Sequence, residues 1–240
     1  MSSALVRILR PPELSAPRPP EERGKGRESV RLMVSTPTED RDLAFVDIPD
    51  LLGPGDLLVV NESATLAASL PASGPFGGFR LNLSNRYGPG LWVAEPRWDH
   101  ARPGPLPLEV GDRFEVAGLS AYVVARFPGI ARLLFIRLDG DVEGAMAARG
   151  EPIHYGYVDR SYAIEAYQTI FSRVPGSAEM PSAGRPFTAK ILQAVREAEI
   201  DVRPLTLHTG VSSLEGTDFA PGLSPVFPEA FAIPSPTAAA

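Results

Sequence analysis

The side chains that could carry chemistry are few in this sequence. The chain has no cysteine and three histidines, His100, His154 and His208. The lack of cysteine excludes disulfides, iron–sulfur clusters, thiolate zinc sites and cysteine nucleophiles. The sequence also contains no Walker-type phosphate loop, no G-x-G-x-x-G motif and no His-Glu-x-x-His motif, which disfavours metal and nucleoside-triphosphate enzymes. We therefore expect oxygen and nitrogen groups to carry the chemistry, without a metal.

Polar residues follow two of the predicted strands. His208 ends an alternating segment, residues 201–208, shortly before a glycine. A side chain at such a position can point into a cleft, and a structural histidine is the alternative. Asn61 and Glu62 follow the buried apolar segment 57–60. Site residues often stand at such a strand end on a rigid scaffold, and an ordinary Asx turn is the alternative.

Two further segments combine polar groups with unusual backbone composition. Residues 176–188 are rich in glycine and proline, which lets the backbone approach a ligand closely, although the same composition describes an ordinary surface loop. Gln168 is a polar residue beside Tyr167 and Phe171 in a helix predicted over 162–172. Its amide could bind a ligand or satisfy a buried carbonyl.

The elements that must position these residues change type along the chain. Five or more short strands, separated by glycine- and proline-containing turns, predict a small β-barrel. After residue 141 the pattern is helical in three segments: 142–149, 162–172 and 188–199, with Thr188 as the N-cap of the last. These patterns predict a mixed, β-rich α/β fold.

The order of the elements predicts a discontinuous organisation. Residues 1–71 and 141–240 form a larger α/β domain, which residues 72–140 interrupt with the small β-barrel domain. Discontinuity is expected because Asn61 and His208 must converge if they share a site. Residues 1–30 are rich in proline and charge and predict an extended or partly disordered leader.

Bulk composition limits the class of protein. The chain has 240 residues, of which 44% are hydrophobic, enough for one large domain or two modest ones. It has no signal-peptide pattern and no apolar run near the roughly 20 residues that cross a bilayer, so we expect a cytoplasmic protein that does not insert into membranes. The net charge of -6 does not indicate nucleic-acid binding, so any such surface must be a local patch.

Four local sequences occur in an ordered series. Residues 55–63 read Gly-Asp-Leu-Leu-Val-Val-Asn-Glu-Ser, residues 167–169 read Tyr-Gln-Thr, and residues 205–210 read Leu-Thr-Leu-His-Thr-Gly. Residues 176–188 read Gly-Ser-Ala-Glu-Met-Pro-Ser-Ala-Gly-Arg-Pro-Phe-Thr. In this order they resemble the S-adenosylmethionine:tRNA ribosyltransferase-isomerase family of queuosine biosynthesis. Its catalytic loop typically reads Gly-Ala/Ser-Val-Ala-Ala-Pro-Thr-Ala-Gly-Leu-His-Phe-Thr. The resemblance covers roughly residues 10–240.

The resemblance implies a reaction. The ribosyl part of the co-substrate S-adenosylmethionine moves to the aminomethyl group of a 7-deazaguanine base at the tRNA wobble position. This gives epoxyqueuosine and releases adenine and methionine. The sulfonium acidifies the neighbouring carbon-bound hydrogens, so one general base in a shielded pocket is the main requirement.

The resemblance also implies roles for residues. His208 and Glu62 are the implied catalytic groups, and Arg160 and Arg173 the implied nucleic-acid contacts. Arg185 is a further cation for phosphate or for the methionine carboxylate. The implied ligand-binding residues are Asn61, Gln168, Thr169, Ser177, Pro181, Ala183, Gly184, Arg185, Phe187, Thr188 and Gly210.

Departures from the family pattern leave alternatives open. Ala64 and Ser69 replace two family arginines, and Pro186 replaces the loop histidine. Lost cations weaken the expectation of tRNA binding, because phosphate contacts dominate affinity for nucleic acid. An S-adenosylmethionine enzyme that acts on a small molecule, and a non-catalytic binding relative, are the alternatives.

The last residues carry a helix-start pattern. Residues 235–240 read Ser-Pro-Thr-Ala-Ala-Ala, a cap and a proline without the helix that normally follows. We expect a sequence truncated before a further region of the family, and a folded form with little or no activity. A disordered alanine tail is the alternative.

Overall fold

The computed structural model describes residues 15–211 and 228–240. Residues 1–14 of the predicted leader, and residues 212–227 of the predicted larger domain, lie outside the described residues. The described chain has the predicted mixed, strand-rich α/β fold. No helix in these two ranges is long and apolar enough to cross a membrane.

The first described elements lead to the predicted strand at residues 57–60. An antiparallel hairpin of β1 (Arg31–Ser35) and β2 (Asp40–Ala44) precedes a 3₁₀ segment, Phe45–Leu51. The next turn is closed by the Asp56 carboxylate, which accepts a hydrogen bond from the Gly53 amide at 2.8 Å. The turn delivers the chain into β3 (Leu57–Asn61), and β4 (Ser63–Thr65) follows after one residue.

Six antiparallel strands form a closed barrel, as predicted. They are β5 (Ser69–Gly74), β6 (Gly77–Gly88), β7 (Leu91–Arg97), β8 (Arg113–Val116), β9 (Leu119–Arg126) and β10 (Leu134–Asp139). Their order around the barrel is β10-β7-β6-β5-β8-β9, and β10 pairs with β9 to close it. Closure removes the edge strands that would otherwise expose unpaired backbone groups. The division of the chain into two domains stays a prediction.

The barrel contains a buried group of charges. Glu95 is fully buried, and its Oε1 accepts hydrogen bonds from Arg97 at 3.2 Å and Arg132 at 2.9 Å. Both arginines are also buried. A buried carboxylate requires such partners, because an isolated charge in the interior is costly.

The elements after the barrel include strands that return to β3 and β4. These elements are α1 (Val142–Arg149), β11 (Val174–Ser177), α2 (Ala189–Glu197), β12 (Asp201–Leu207), β13 (Phe231–Ala232) and α3 (Ser235–Ala238). Strand β12 pairs parallel with β3 and antiparallel with β13, and β11 pairs parallel with β4. The ends of β3 and β12 therefore lie side by side.

Helix α2 packs its apolar face on strands β3 and β12. Thr188 caps it as predicted, because its Oγ1 accepts a hydrogen bond from the Ile191 amide at 3.3 Å. Ile191 and Val195, one helical turn apart, are buried against a cluster that includes Phe187. Burial of such side chains contributes about 1.5–3 kcal/mol each.

The prediction of a helix over residues 162–172 is wrong. Only a 3₁₀ turn, Ile164–Tyr167, forms there, and Gln168 is extended, with φ -87° and ψ 143°. The hydroxyl of Thr169 accepts a hydrogen bond from the Phe171 amide, and that of Ser172 accepts one from the Thr169 amide. These side chains offer the backbone a local alternative to helical bonding.

Candidate functional site

Asn61 joins the ends of β3 and β12. Its Nδ2 donates to the Leu207 carbonyl at 2.8 Å, and its Oδ1 accepts from the Leu207 amide at 3.0 Å. The same oxygen accepts from the Ser63 amide at 3.0 Å. The segments of Asn61 and His208 therefore converge, as their predicted shared site requires. The amide itself is used to hold the two strand ends together.

His208 belongs to a chain of buried hydroxyl groups. Its Nδ1 lies 2.7 Å from the Ser63 Oγ, which lies 2.6 Å from the Ser177 Oγ. The Ser177 Oγ also accepts from the Thr209 amide at 3.1 Å. Burial lowers the pKa of His208 below its ordinary value, so the imidazole is neutral at pH 7. A neutral, oriented imidazole can accept a proton.

Gly176 packs against the face of the His208 ring. A Cβ at this position would lie 2.3 Å from Cε1 and 2.4 Å from Nδ1 of that ring. Such separations are far shorter than ordinary carbon contacts of about 3.5–4.0 Å. The glycine is therefore required by the space that the ring occupies.

A cleft of about 600 Å³ opens beside these strand ends. Asn61, Leu207 and Thr209 line one side of it. His208 is not among its lining residues, although its two chain neighbours are, because successive side chains point to opposite faces. The loop between β11 and α2 forms the other side through Glu179, Met180, Pro181, Ser182, Ala183, Gly184 and Phe187.

Glu179 is the only ionisable side chain among the described residues that line the cleft. The Tyr155 hydroxyl donates a hydrogen bond to its carboxylate. Its backbone carbonyl accepts from the Thr209 Oγ1 at 2.6 Å. An apolar cleft with one oriented carboxylate suits a ligand that has an apolar or aromatic body and a cationic group.

The predicted binding residues lie in different parts of the structure. Five of them line the cleft: Asn61, Pro181, Ala183, Gly184 and Phe187. Ser177 instead contacts the Ser63 hydroxyl in the His208 chain of hydrogen bonds. The cleft and this chain of hydrogen bonds lie on the same pair of strand ends.

Other predicted binding residues make structural contacts. Gln168 bonds both backbone groups of Thr65, accepting at 2.9 Å and donating at 2.8 Å. Thr169 closes the turn that replaces the predicted helix, and Thr188 caps α2. The Gly210 amide donates to the Glu229 carboxylate at 2.8 Å. Their roles in ligand binding stay predictions.

The predicted charged residues lie outside the cleft. Glu62 accepts from the Thr206 hydroxyl at 3.3 Å and lines a separate cavity of about 180 Å³, together with Arg173. Arg160 pairs with an exposed glutamate at 2.5 Å. Arg185 donates to the Ala166 carbonyl at 2.9 Å and pairs with Glu21. The catalytic role of Glu62 and the nucleic-acid roles of the arginines stay predictions.

Glu179, Tyr155 and Ser63 were not among the site residues predicted from the sequence. A carboxylate inside the glycine- and proline-rich loop was a visible signal for Glu179. Tyr155 and Ser63 carry no local signal, because their partners lie 24 and 145 residues away. Their contacts depend on the fold.

One group of side chains has the composition of a metal site. His100, Glu151 and His154 place their ligand atoms within 4.8 Å of one another. The Glu151 carboxylate already pairs with Arg80 at 3.2 Å. Burial, His154 and the positive charge of Arg80 lower the pKa of His100 to about 4, against an opposing effect of Glu151. A metal cation would meet the same positive charge, so we assign none here.

Comparisons with known proteins agree in pointing to one family. A family model described as queuosine biosynthesis protein matches residues 9–240. The S-adenosylmethionine:tRNA ribosyltransferase-isomerase of Thermus thermophilus is 36% identical over 239 residues, 96% of this chain and 67% of that protein. The protein of the same name from Rubrobacter xylanophilus is 35% identical, over 85% of this chain and 58% of that one.

A solved structure was also found. It is the crystal structure of S-adenosylmethionine tRNA ribosyltransferase from Thermotoga maritima, with 21% sequence identity and a TM-score of 0.33. The match covers 83% of this chain and 56% of that one. The chain thus spans between about half and two thirds of the length of these proteins.

Proposed function

The chain belongs to the queuosine biosynthesis protein family, and from this membership we propose that it acts as an S-adenosylmethionine:tRNA ribosyltransferase-isomerase. In this proposal the cleft binds S-adenosylmethionine, and the ribosyl part moves to the 7-aminomethyl-7-deazaguanine base of a tRNA. Adenine and methionine are released. The cytoplasmic location expected from the sequence belongs to the same proposal.

The cleft is the observation that carries the proposal. Its walls are the β3 end, the β12 end and the loop between β11 and α2, which are the segments that carry the family motifs. S-adenosylmethionine has an aromatic base and a sulfonium cation. The apolar walls suit the base, and the Glu179 carboxylate suits the cation.

His208 is the proposed general base. Its neutral imidazole is held at Nδ1 by the Ser63 hydroxyl, and no described residue hydrogen-bonds to its Nε2. A base of this kind removes a proton from the carbon beside the sulfonium. Because the His208 side chain does not line the cleft, this role requires the ribosyl part of the ligand to extend past the end of β12 to the imidazole. General bases contribute about 10²- to 10⁴-fold to rate. His208→Ala should therefore lower turnover by about 10²-fold or more without unfolding the protein.

Product analysis tests the activity. The purified chain, and a form of it extended by about 100 residues at the C-terminus, are each incubated with S-adenosylmethionine and precursor tRNA. Free adenine and methionine are then measured by mass spectrometry. A tRNA without the 7-aminomethyl-7-deazaguanine base is the control. Release that depends on the precursor base supports the proposal. Release with the free base alone favours the small-molecule alternative, and binding without release favours a non-catalytic relative.

A matched pair of ligands tests the role of Glu179. S-adenosylhomocysteine carries a neutral thioether in place of the sulfonium. Glu179→Gln should weaken S-adenosylmethionine binding by about 10-fold, because hydrogen bonds and contacts to charged groups contribute about 1.5–3 kcal/mol, and should change S-adenosylhomocysteine binding by less than about 2-fold. Glu165→Gln, an exposed position outside the cleft lining, is the control in calorimetric titrations. Equal S-adenosylmethionine affinity in wild type and Glu179→Gln would refute the role.

A further inference from the structure

A further cavity of about 340 Å³ lies on the other side of the loop between β11 and α2. Four arginines line it: Arg18, Arg23, Arg27 and Arg185. Three tyrosines line it as well: Tyr157, Tyr162 and Tyr167. We call this cavity the arginine–tyrosine groove. No carboxylate is found among its described lining residues, although the whole chain has a net charge of -6.

The tyrosines of the groove lie close together. Burial, and then the neighbouring Tyr162 and Tyr157, raise the pKa of Tyr167 to about 12. Tyr157 is 51% exposed, and its ring stacks on that of Tyr155 with the ring centroids 6.3 Å apart. Exposed aromatic faces in a basic groove are the combination that binds unpaired nucleotides, because bases stack on the rings while cations contact the phosphates.

The arginines of the groove outnumber the carboxylates that they pair with. Arg18 pairs with Asp159 at 2.5 Å, and Arg27 and Arg185 share the Glu21 carboxylate at 3.3 Å and 3.1 Å. Arg23 makes no ion pair with any residue in the described ranges. The four guanidinium groups therefore meet the two carboxylates of Glu21 and Asp159, which leaves an excess of two positive charges for phosphate oxygens.

The groove and the cleft share a wall. Met180 and Ser182 line both cavities. A nucleotide in the groove would therefore lie next to the ligand in the cleft, separated only by the loop. This arrangement matches a reaction that joins part of one ligand to a base of the other.

We propose that the arginine–tyrosine groove binds an unpaired segment of the RNA acceptor, stacking bases on its tyrosines and contacting phosphates with its arginines. The proposal rests on the proposed function, since it identifies where the acceptor of that reaction binds. It assigns acceptor binding to Arg23 and Tyr157, neither of which was predicted as a site residue from the sequence.

Fluorescence anisotropy with a labelled RNA hairpin tests the proposal. The hairpin carries a seven-nucleotide unpaired loop, and a fully paired duplex of equal length is the comparison. Tyr157→Ala and Arg23→Ala should each weaken hairpin binding by about 5- to 10-fold, and Arg23→Ala should reduce the salt slope by about one. Tyr87→Ala and Arg41→Ala are the controls, because Tyr87 is similarly exposed at 46% and both lie outside the groove.

Each outcome of these measurements either supports or contradicts the proposal. Hairpin affinity unchanged in Tyr157→Ala and Arg23→Ala, or reduced equally in the controls, overturns the proposal. Equal affinity for the duplex, or binding of guanosine monophosphate but not of the hairpin, also overturns it. Calorimetric titration with S-adenosylmethionine is run in parallel. Loss of hairpin binding with normal S-adenosylmethionine binding supports the groove, whereas absence of S-adenosylmethionine binding in wild type contradicts the proposed function instead.

Discussion

The packing of Gly176 on His208 gives the sharpest prediction. In Gly176→Ala, the new methyl would lie 2.3–2.6 Å from the ring atoms Cε1, Nδ1 and Nε2. An ordinary contact needs about 3.5 Å, so the ring must move by about 1 Å. The 2.7 Å bond to the Ser63 hydroxyl would then exceed about 3.5 Å, beyond hydrogen-bond range.

The expected loss of stability follows from three effects. Overpacking costs about 1–3 kcal/mol, and the lost hydrogen bond costs about 0.5–1.5 kcal/mol. Replacing glycine by alanine returns about 0.4–1 kcal/mol by restricting the unfolded chain. We expect Gly176→Ala to lower the free energy of unfolding by about 2 kcal/mol and turnover by about 10²-fold, since His208 loses its orientation.

Urea denaturation of a double-mutant cycle isolates the contact. In a His208→Ala background the ring is absent, so Gly176→Ala should change stability by less than about 0.5 kcal/mol. Gly53→Ala is the matched control, because a Cβ there meets no heavy atom within 4 Å. If Gly176→Ala costs the same free energy with and without the His208 ring, the proposed clash is wrong.

Two further predictions concern stability. Glu95→Gln should lower the free energy of unfolding by about 3–5 kcal/mol, because it leaves buried guanidinium groups without their carboxylate. Glu115→Gln, at an exposed position, should change the free energy of unfolding by less than about 0.5 kcal/mol. Equal urea midpoints for the two variants would contradict this prediction. The folded-state pKa of His100 is lowered to about 4. As the pH falls from about 6.5 to 4, His100 therefore takes up a proton in the unfolded chain but not in the folded chain, and the folded state loses stability over that range. His100→Asn should flatten the urea midpoint between pH 7 and pH 5, and a profile as steep as that of wild type would contradict the assignment.

The sequence predicted the structure correctly where a local pattern determines it. Short strands separated by glycine- and proline-containing turns predicted the barrel, and the cap at Thr188 predicted the start of α2, because both signals are local. The helix predicted over residues 162–172 failed because the hydroxyls of Thr169 and Ser172 bond the backbone instead. Helix propensity does not include that competition.

The candidate site was predictable only in part, for a related reason. The loop over residues 176–188 and the segments of Asn61 and His208 could be brought together by their motifs. The contacts that orient them could not, since Asn61 meets Leu207 across 146 residues and His208 meets Ser63 across 145. Contacts between side chains so far apart in the sequence produce no local pattern from which they could be predicted.

The Asn61–Leu207 bridge also has a consequence for how the protein folds. Closing a flexible loop of 146 residues costs about 4 kcal/mol of chain entropy by the (3/2)RT ln n relation, and one side-chain bridge contributes less than that. The bridge alone therefore does not offset the closure of this loop, and it is favourable once the intervening barrel has compacted the chain. A lesion such as Glu95→Gln should thus loosen strands that it does not touch, and hydrogen exchange at the amides of β3 and β12 should rise together with exchange in the barrel.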